Sequence, residues 1–389
     1  MEKYLEFLRY SLSDSLSLPE SVKDIDWMEM MGWAEKHAIV GVLFHGIQKA
    51  GKEISIPFDT LMEWVGYANQ IEMQNRLLNQ RCIELSATLK EQGFDTCILK
   101  GQGNALMYPN PLLRTSGDID IWTRGKSIRD TIQFAKRKNP AGKALYHHVD
   151  YGLFGEIEVE IHYRPTYRNN LFANCRLQKW IKENEGAQFN HERELPEDDG
   201  KITVPTWEFN VVFQLCHVLN HIMFEGIGLR QIMDYYFLLK SGNSNQFRME
   251  NGELRDSLRH LGLEKIAGAM MWVLREVLGL EEKYLIAAVD ERRGRFLYEE
   301  IMQGGNFGQY DQRVNHHVGK LTKNLQRLKR DLRLFRFFPS ECLWEPVFRT
   351  YHFLWRMKFN EIRSFSGAEN EPRDIHPPQG PSLYGGDAT

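Results

Sequence analysis

No stretch of this sequence stays apolar long enough to span a bilayer as a helix, so no transmembrane helix is expected. The opening residues, MEKYLEFLRYSL, carry acids and alternate apolar with polar, which does not fit a secretory leader. Cysteines are few. Cys82, Cys97, Cys175, Cys216 and Cys342 are odd in number, scattered and without metal-site spacing, which argues against a disulfide scaffold or a zinc ribbon. The expected compartment is the cytoplasm. There is no cationic excess either: 49 Lys and Arg stand against 52 Asp and Glu, a net charge of −3. A surface for long nucleic acids is therefore not expected. Neither an internal repeat nor a low-complexity tract interrupts the chain before a Pro- and Gly-rich end, residues 366–389, expected to be a flexible tail.

What is present concentrates between Thr96 and Ile121, TCILKGQGNALMYPNPLLRTSGDIDI. Cys97-Ile98-Leu99 predicts a short buried strand. It runs into Lys100-Gly101-Gln102-Gly103 and a helix-compatible segment, Asn104 to Tyr108, which Pro109 and Pro111 break. The chain returns through Arg114 and Gly117 into a predicted strand, Asp118-Ile119-Asp120-Ile121. Strand alternation sends Asp118 and Asp120 to one face and both isoleucines to the core. Paired carboxylates repel, and a divalent cation relieves the repulsion; hard oxygen ligands favour Mg²⁺. A glycine-containing loop before a helix start offers N–H groups that suit phosphate. A third acid comes from Glu156-Ile157-Glu158-Val159-Glu160-Ile161-His162, whose strict alternation predicts a strand with an acidic face.

Lys100-Gly101, Ala105, Tyr108, Pro111, Arg114, Gly117-Asp118-Ile119-Asp120 and Glu160-Ile161-His162 together resemble the bacterial nucleotidyltransferase-fold proteins, with their LKG, Tyr/Pro, Arg, GDIDL and ELHW pattern. Their superfamily includes polymerase beta and the aminoglycoside nucleotidyltransferases. The resemblance covers about Ile98 to Arg164. It implies an α+β fold: a small mixed β-sheet core, polymerase-beta-like, flanked by N- and C-terminal helical regions. It implies Asp118, Asp120 and Glu160 as metal ligands and catalytic acids, with Lys100, Gly101, Arg114, Gly117 and Arg230 toward the nucleotide. Glu156 and Glu158 fall outside the pattern. Mg²⁺ is the expected cofactor, a nucleoside triphosphate (ATP the expected one) the donor, and a small molecule or protein the acceptor. The competing expectation is an inactive nucleotide-binding or interaction protein on the same fold. A third, a zinc hydrolase through His147, His148, His217 and His221, is weaker.

The expected organisation is a helical region over 1–92, a catalytic core over 93–165, a helical region over 166–365 and the tail. Asp26 is expected to cap a helix from Trp27 to Lys36, with His37 at its end. Pro57 is expected to open a long helix that closes at Gly93, and Ser127 to cap another. Ala144 to Val149 reads as a strand, which would send His147 and His148 to opposite faces. Residues 168–201 read as a short helix and an exposed excursion. His217 and His221 stand one helical turn apart, as do Arg230 and Asp234; either Arg230 or His217 faces the cleft toward phosphate or base, or the group is a buried polar cluster with Arg230 and Asp234 as an internal ion pair. A basic amphipathic helix over 320–338 is expected to turn its apolar stripe to the core; peripheral contact with an anionic membrane is the alternative.

Overall fold

In a computed structural model, residues 1–13, 16–242, 251–314 and 319–359 are described; the expected flexible tail lies outside them. Four helices come first: α1 (Glu2–Leu12), α2 (Trp27–His37), α3 (Val40–Ala50) and α4 (Phe58–Glu91). Their apolar spacing buries Leu5, Leu8, Leu12, Met30, Met31 and Ala34. As expected, the Asp26 side chain caps α2 by accepting from the Met28 and Glu29 N–H groups, each at 3.0 Å. Pro57 precedes α4, whose 34 residues are about 50 Å long. That helix ties two buried clusters together. Trp64 and Ala68 belong to one, Leu78, Cys82, Leu85 and Leu89 to the other.

The second cluster is built on a four-stranded mixed sheet, β1 (Asp95–Leu99), β2 (Ile119–Arg124), β3 (His148–Asp150) and β4 (Val159–His162), in the order β1-β2-β4-β3. β2 and β4 run parallel, and the outer pairs are antiparallel. Ile119, Ile121, Val159 and Ile161 are buried, as the alternation requires. Between β1 and β2 lies the one-turn helix α5 (Gly101–Ala105). After β2 comes α6 (Ile128–Lys138), capped by the Ser127 hydroxyl accepting from the Asp130 N–H at 3.2 Å.

Five local readings change. The strand expected over Glu156 to His162 is β4 from Val159 only, so Glu156 and Glu158 lie outside it. Gly101, Gln102 and Gly103, expected as a loop ahead of a helix over Asn104 to Tyr108, are themselves the start of α5. β2 begins at Ile119, so Asp118 stands exposed just ahead of it. In the segment from Ala144, only a single bridge to Val149 forms before β3 starts at His148. His147 therefore sits in a bend, where strand alternation does not govern it. Residues 168–201 are more ordered than expected. They hold the 18-residue α7 (Leu171–Gln188) and a hairpin, β5 (Glu192–Glu194) and β6 (Lys201–Thr203). The polar outer face of α7 masks a buried stripe, Ala173, Leu177 and Ile181, at helical spacing.

Helices α8 (Trp207–Phe224), α9 (Leu229–Ser241), α10 (Asn251–His260), α11 (Glu264–Trp272) and α12 (Glu291–Gly304) follow. They share the first buried cluster with α1 to α3. The chain then forms α13 (Lys320–Phe335) and α14 (Pro339–Phe359). The apolar stripe of α13 does not meet the core. Leu325, Leu328, Leu332 and Phe335 are exposed while Leu334 is buried, and Arg333 anchors the helix to Glu300 at 3.0 Å. No helix among the described residues is long and apolar enough to cross a membrane.

His37 is buried against Trp33 (ring centroids 5.4 Å apart), and neither ring nitrogen has a hydrogen-bond partner. Burial, then the nearby Lys36 charge, lowers its pKa from 6.5 to about 3. The unfolded chain thus takes up this proton below pH 6.5 while the folded chain does not. The stability His37 contributes is present above pH 6.5 and is lost as pH falls toward 3. His37→Phe should accordingly lose roughly 3 kcal/mol less stability than the wild type between pH 7 and pH 4, measured by urea denaturation at both values.

Candidate active site

The sheet places the acids. Asp120 and Glu160 sit directly opposite each other on the parallel strands β2 and β4, and Leu99 pairs with Asp120 from the other side. Lys100, the next residue after Leu99, therefore arrives at the same point. It has a left-handed φ of 48°, and Gly101 follows at φ 35°, a turn that glycine makes easily. The Lys100 ammonium lies 2.8 Å from Asp120 Oδ2. His162, two residues beyond Glu160 on β4, presents Nε2 to both acids, 2.8 Å from Asp120 Oδ1 and 3.2 Å from Glu160 Oε2. His148 Nδ1 lies 2.9 Å from the same Glu160 oxygen.

The charges answer one another. Burial pushes the Asp120 carboxyl up, but Lys100 and the His162 hydrogen bond outweigh it and hold Asp120 below the usual range. Burial likewise opposes ionisation of Glu160, and His148 and His162 more than compensate, holding it well below its ordinary value. His162 moves the other way. Burial disfavours its charge, yet its bonds to Asp120 and Glu160 raise its pKa to about 9, so it is an imidazolium at neutral pH. Asp118 is the unrelieved member. Crowding away from water, then the Asp120 charge, raises its pKa to about 6 although its side chain reaches solvent. Asp120, Glu160 and His162 offer ligand atoms within 4.8 Å of one another; Asp118 stands outside that group.

Behind the acids a second network fixes the loop that carries Asp118. Asp234 of α9 accepts two hydrogen bonds from Arg114, each at 2.7 Å, one from Tyr108 at 2.6 Å and one from Asn104 at 3.1 Å. Both charges are buried, Arg114 at 5% and Asp234 at 5% exposure. Asn75 of α4 donates to the Arg114 carbonyl at 2.8 Å. The predicted partner of Asp234, Arg230, instead donates to the Thr115 carbonyl at 3.1 Å and stacks over Phe307 at 5.1 Å. Its Nε is buried without a partner. Arg230 loses the competition because Arg114 reaches Asp234 with a two-pronged geometry. His217 and His221 touch through Nε2 at 2.9 Å, and His221 meets Glu225 at 2.9 Å. Burial, then Lys100, holds His217 neutral.

The family profile described as uncharacterised nucleotidyltransferase matches residues 23–279. The chain belongs to that family. Its match spans α2 through the end of α11 and contains every residue named above except Phe307. A solved structure, an antigenic nucleotidyltransferase-like protein from Paracoccidioides brasiliensis, is similar over 59% of this chain and 98% of its own, with 13% identity and a TM-score of 0.30. No curated relative matches.

For this member of the uncharacterised nucleotidyltransferase family, the sheet brings Lys100, Asp120 and Glu160 together, with Gly101 and Asp118 beside them. Arg114 is drawn away into the Asp234 network, and Glu156 pairs with Arg81 on the outside of the core. Sequence reasoning left open which of His147 and His148 faces the acids, where the structure puts His148 against Glu160, and missed Asp234 as the partner of Arg114. The Tyr108 and Arg114 positions were the available signal, since two buried donors on one loop require a shared acceptor. Asp234→Ala leaves the Arg114 charge buried and unpaired. It should destabilise the fold by about 3–5 kcal/mol in urea denaturation, whereas Arg114→Met with Asp234→Leu should lose clearly less.

Proposed function

We propose that this chain transfers a nucleotidyl group from a nucleoside triphosphate, ATP foremost, to a hydroxyl of a small-molecule or protein acceptor, with Mg²⁺ as the cation. The carrying observation is the shared register of Asp120 and Glu160 on parallel strands, with Asp118 one residue ahead of β2. The donor set suits a hard cation: three carboxylates, two held ionised, and a third whose raised pKa marks negative charge still unrelieved. Bound Mg²⁺ supplies neutralisation of the α-phosphate and of the departing pyrophosphate. We take 93–165 as the catalytic core, between helical regions over 1–92 and 166–365. Five unpaired cysteines support a reducing, cytoplasmic setting.

The chain's own groups divide the remaining work. Lys100, 2.8 Å from Asp120, would be free to pair with a phosphate oxygen once Asp118, Asp120 and Glu160 held a cation. Glu160, held ionised by the neighbouring His148 and His162, would complete the cation site and so help lower the pKa of the acceptor hydroxyl. Gly101 is the residue whose positive φ turns the chain beside Asp118, and Gly117 leaves open space ahead of it. Arg230, with its unpartnered Nε, faces the triphosphate. Arg114 is a positioning residue that holds the Asp118 loop through Asp234. A second reading draws on the Lys100–Asp120 ion pair, which already neutralises one acid: an inactive nucleotide-binding protein on the same fold.

Pyrophosphate release from each of the four ribonucleoside triphosphates, with a panel of acceptors, decides between them. The expected result is Mg²⁺-dependent release that falls on the order of 100-fold or more in Asp118→Asn with Asp120→Asn. Saturable binding without turnover in the wild type would move the assignment to the second reading.

A further inference from the structure

The bend ahead of β3 produces a juxtaposition that strand alternation forbids. His147, His148 and His162 each offer a ring nitrogen, and these lie within 4.8 Å of one another. Ring centroids are 4.4 Å apart for His147 and His148, 5.2 Å for His148 and His162, and 5.5 Å for His147 and His162. The arrangement is built into the backbone. The His147 carbonyl accepts from the Tyr163 and Arg164 N–H groups at 3.1 and 3.2 Å, which pins the bend to the end of β4. The Tyr163 hydroxyl donates to the His148 carbonyl at 2.9 Å.

Two of these imidazoles have unmet valence. The Nδ1 atoms of His147 and His148 are buried and make no hydrogen bond; His148 Nδ1 is close to Glu160 without hydrogen-bond alignment. His148 is 6% exposed and His162 2%. Buried polar nitrogens without partners are costly, and a metal ion satisfies them as well as a proton donor would. Imidazole nitrogens select borderline transition metals over Mg²⁺, which prefers oxygen. Tetrahedral zinc, with bonds of about 2.0–2.1 Å, asks for nitrogens about 3.4 Å apart, within reach of small ring rotations from the present spacing.

We propose that His147, His148 and His162, with Glu160 as the adjoining carboxylate, form a binding site for a borderline divalent transition metal, Zn²⁺ foremost. Glu160 and His162 also border the oxygen site of Asp118 and Asp120, so the two sites adjoin, and metal binding here displaces the proton that His162 holds toward Asp120 and Glu160. It does not require nucleotidyl transfer.

The test uses the full chain, stripped of metal by chelator and titrated with Co²⁺ as a spectroscopic stand-in. One equivalent of Co²⁺ should give intense visible d–d bands of low-coordinate cobalt. Equimolar Zn²⁺ should remove them, and a hundredfold excess of Mg²⁺ should not. His147→Ala and His148→Gln, each checked for native circular dichroism, should weaken Co²⁺ and Zn²⁺ binding on the order of 100-fold. Asp118→Asn should keep the bands while losing any pyrophosphate release, which separates this site from the nucleotidyl-transfer reading. The proposal is overturned if wild type shows no bands, if Mg²⁺ displaces them, or if they persist unchanged in both folded histidine variants.

Discussion

Asp120 is a carboxylate held at 2% exposure inside a β-sheet, and such a group survives only with its charge answered. Lys100 answers it from one neighbouring strand end and His162 from the other. Much of the sheet's layout follows from that requirement. β1 has to end at Leu99 so that Lys100 turns inward, which explains the left-handed backbone of a non-glycine residue there. β4 has to run parallel to β2 so that Glu160 and His162 arrive at the right height. The site thus carries its own neutralising cations, Lys100 and His162, around Asp120.

A second buried pair does a different job. Asp234 gathers Arg114, Tyr108 and Asn104, and so couples α9 to the loop that presents Asp118. α3 closes the same loop from outside, since a methyl at Gly41 would overlap the Leu113 carbonyl. The N-terminal helices and α9 therefore fix the geometry of the acids without touching them. The motif residues between Lys100 and Asp118 divide accordingly: Lys100 meets the acids of the sheet, and Tyr108 and Arg114 meet Asp234.

Much of this was legible in the sequence. The alternation of Ile119 and Ile121 against Asp120, and of Val159 and Ile161 against Glu160, marked the strands and the convergence of Asp120 and Glu160, while the same alternation carried the second strand three residues too far, to Glu156. Asp26, Pro57 and Ser127 marked helix starts because caps are local chemistry. The Arg230–Asp234 pair failed because spacing on one helix says nothing about a stronger competitor from another element. His147 was misjudged because a bend suspends the period of two. The polar surface of α7 hid three buried residues, and the exposed leucines of α13 show that an amphipathic stripe does not name the surface it meets.

The central claim is that Asp118, Asp120 and Glu160 share a cation beneath a triphosphate, with Lys100 released from Asp120. A crystal structure with Mg²⁺ and a non-hydrolysable triphosphate tests it most directly. The account predicts density for Mg²⁺ between these carboxylates, with the Lys100 ammonium moved onto a phosphate oxygen. A nucleotide bound elsewhere, with Lys100 still paired to Asp120 and Asp118 open to solvent, would contradict it.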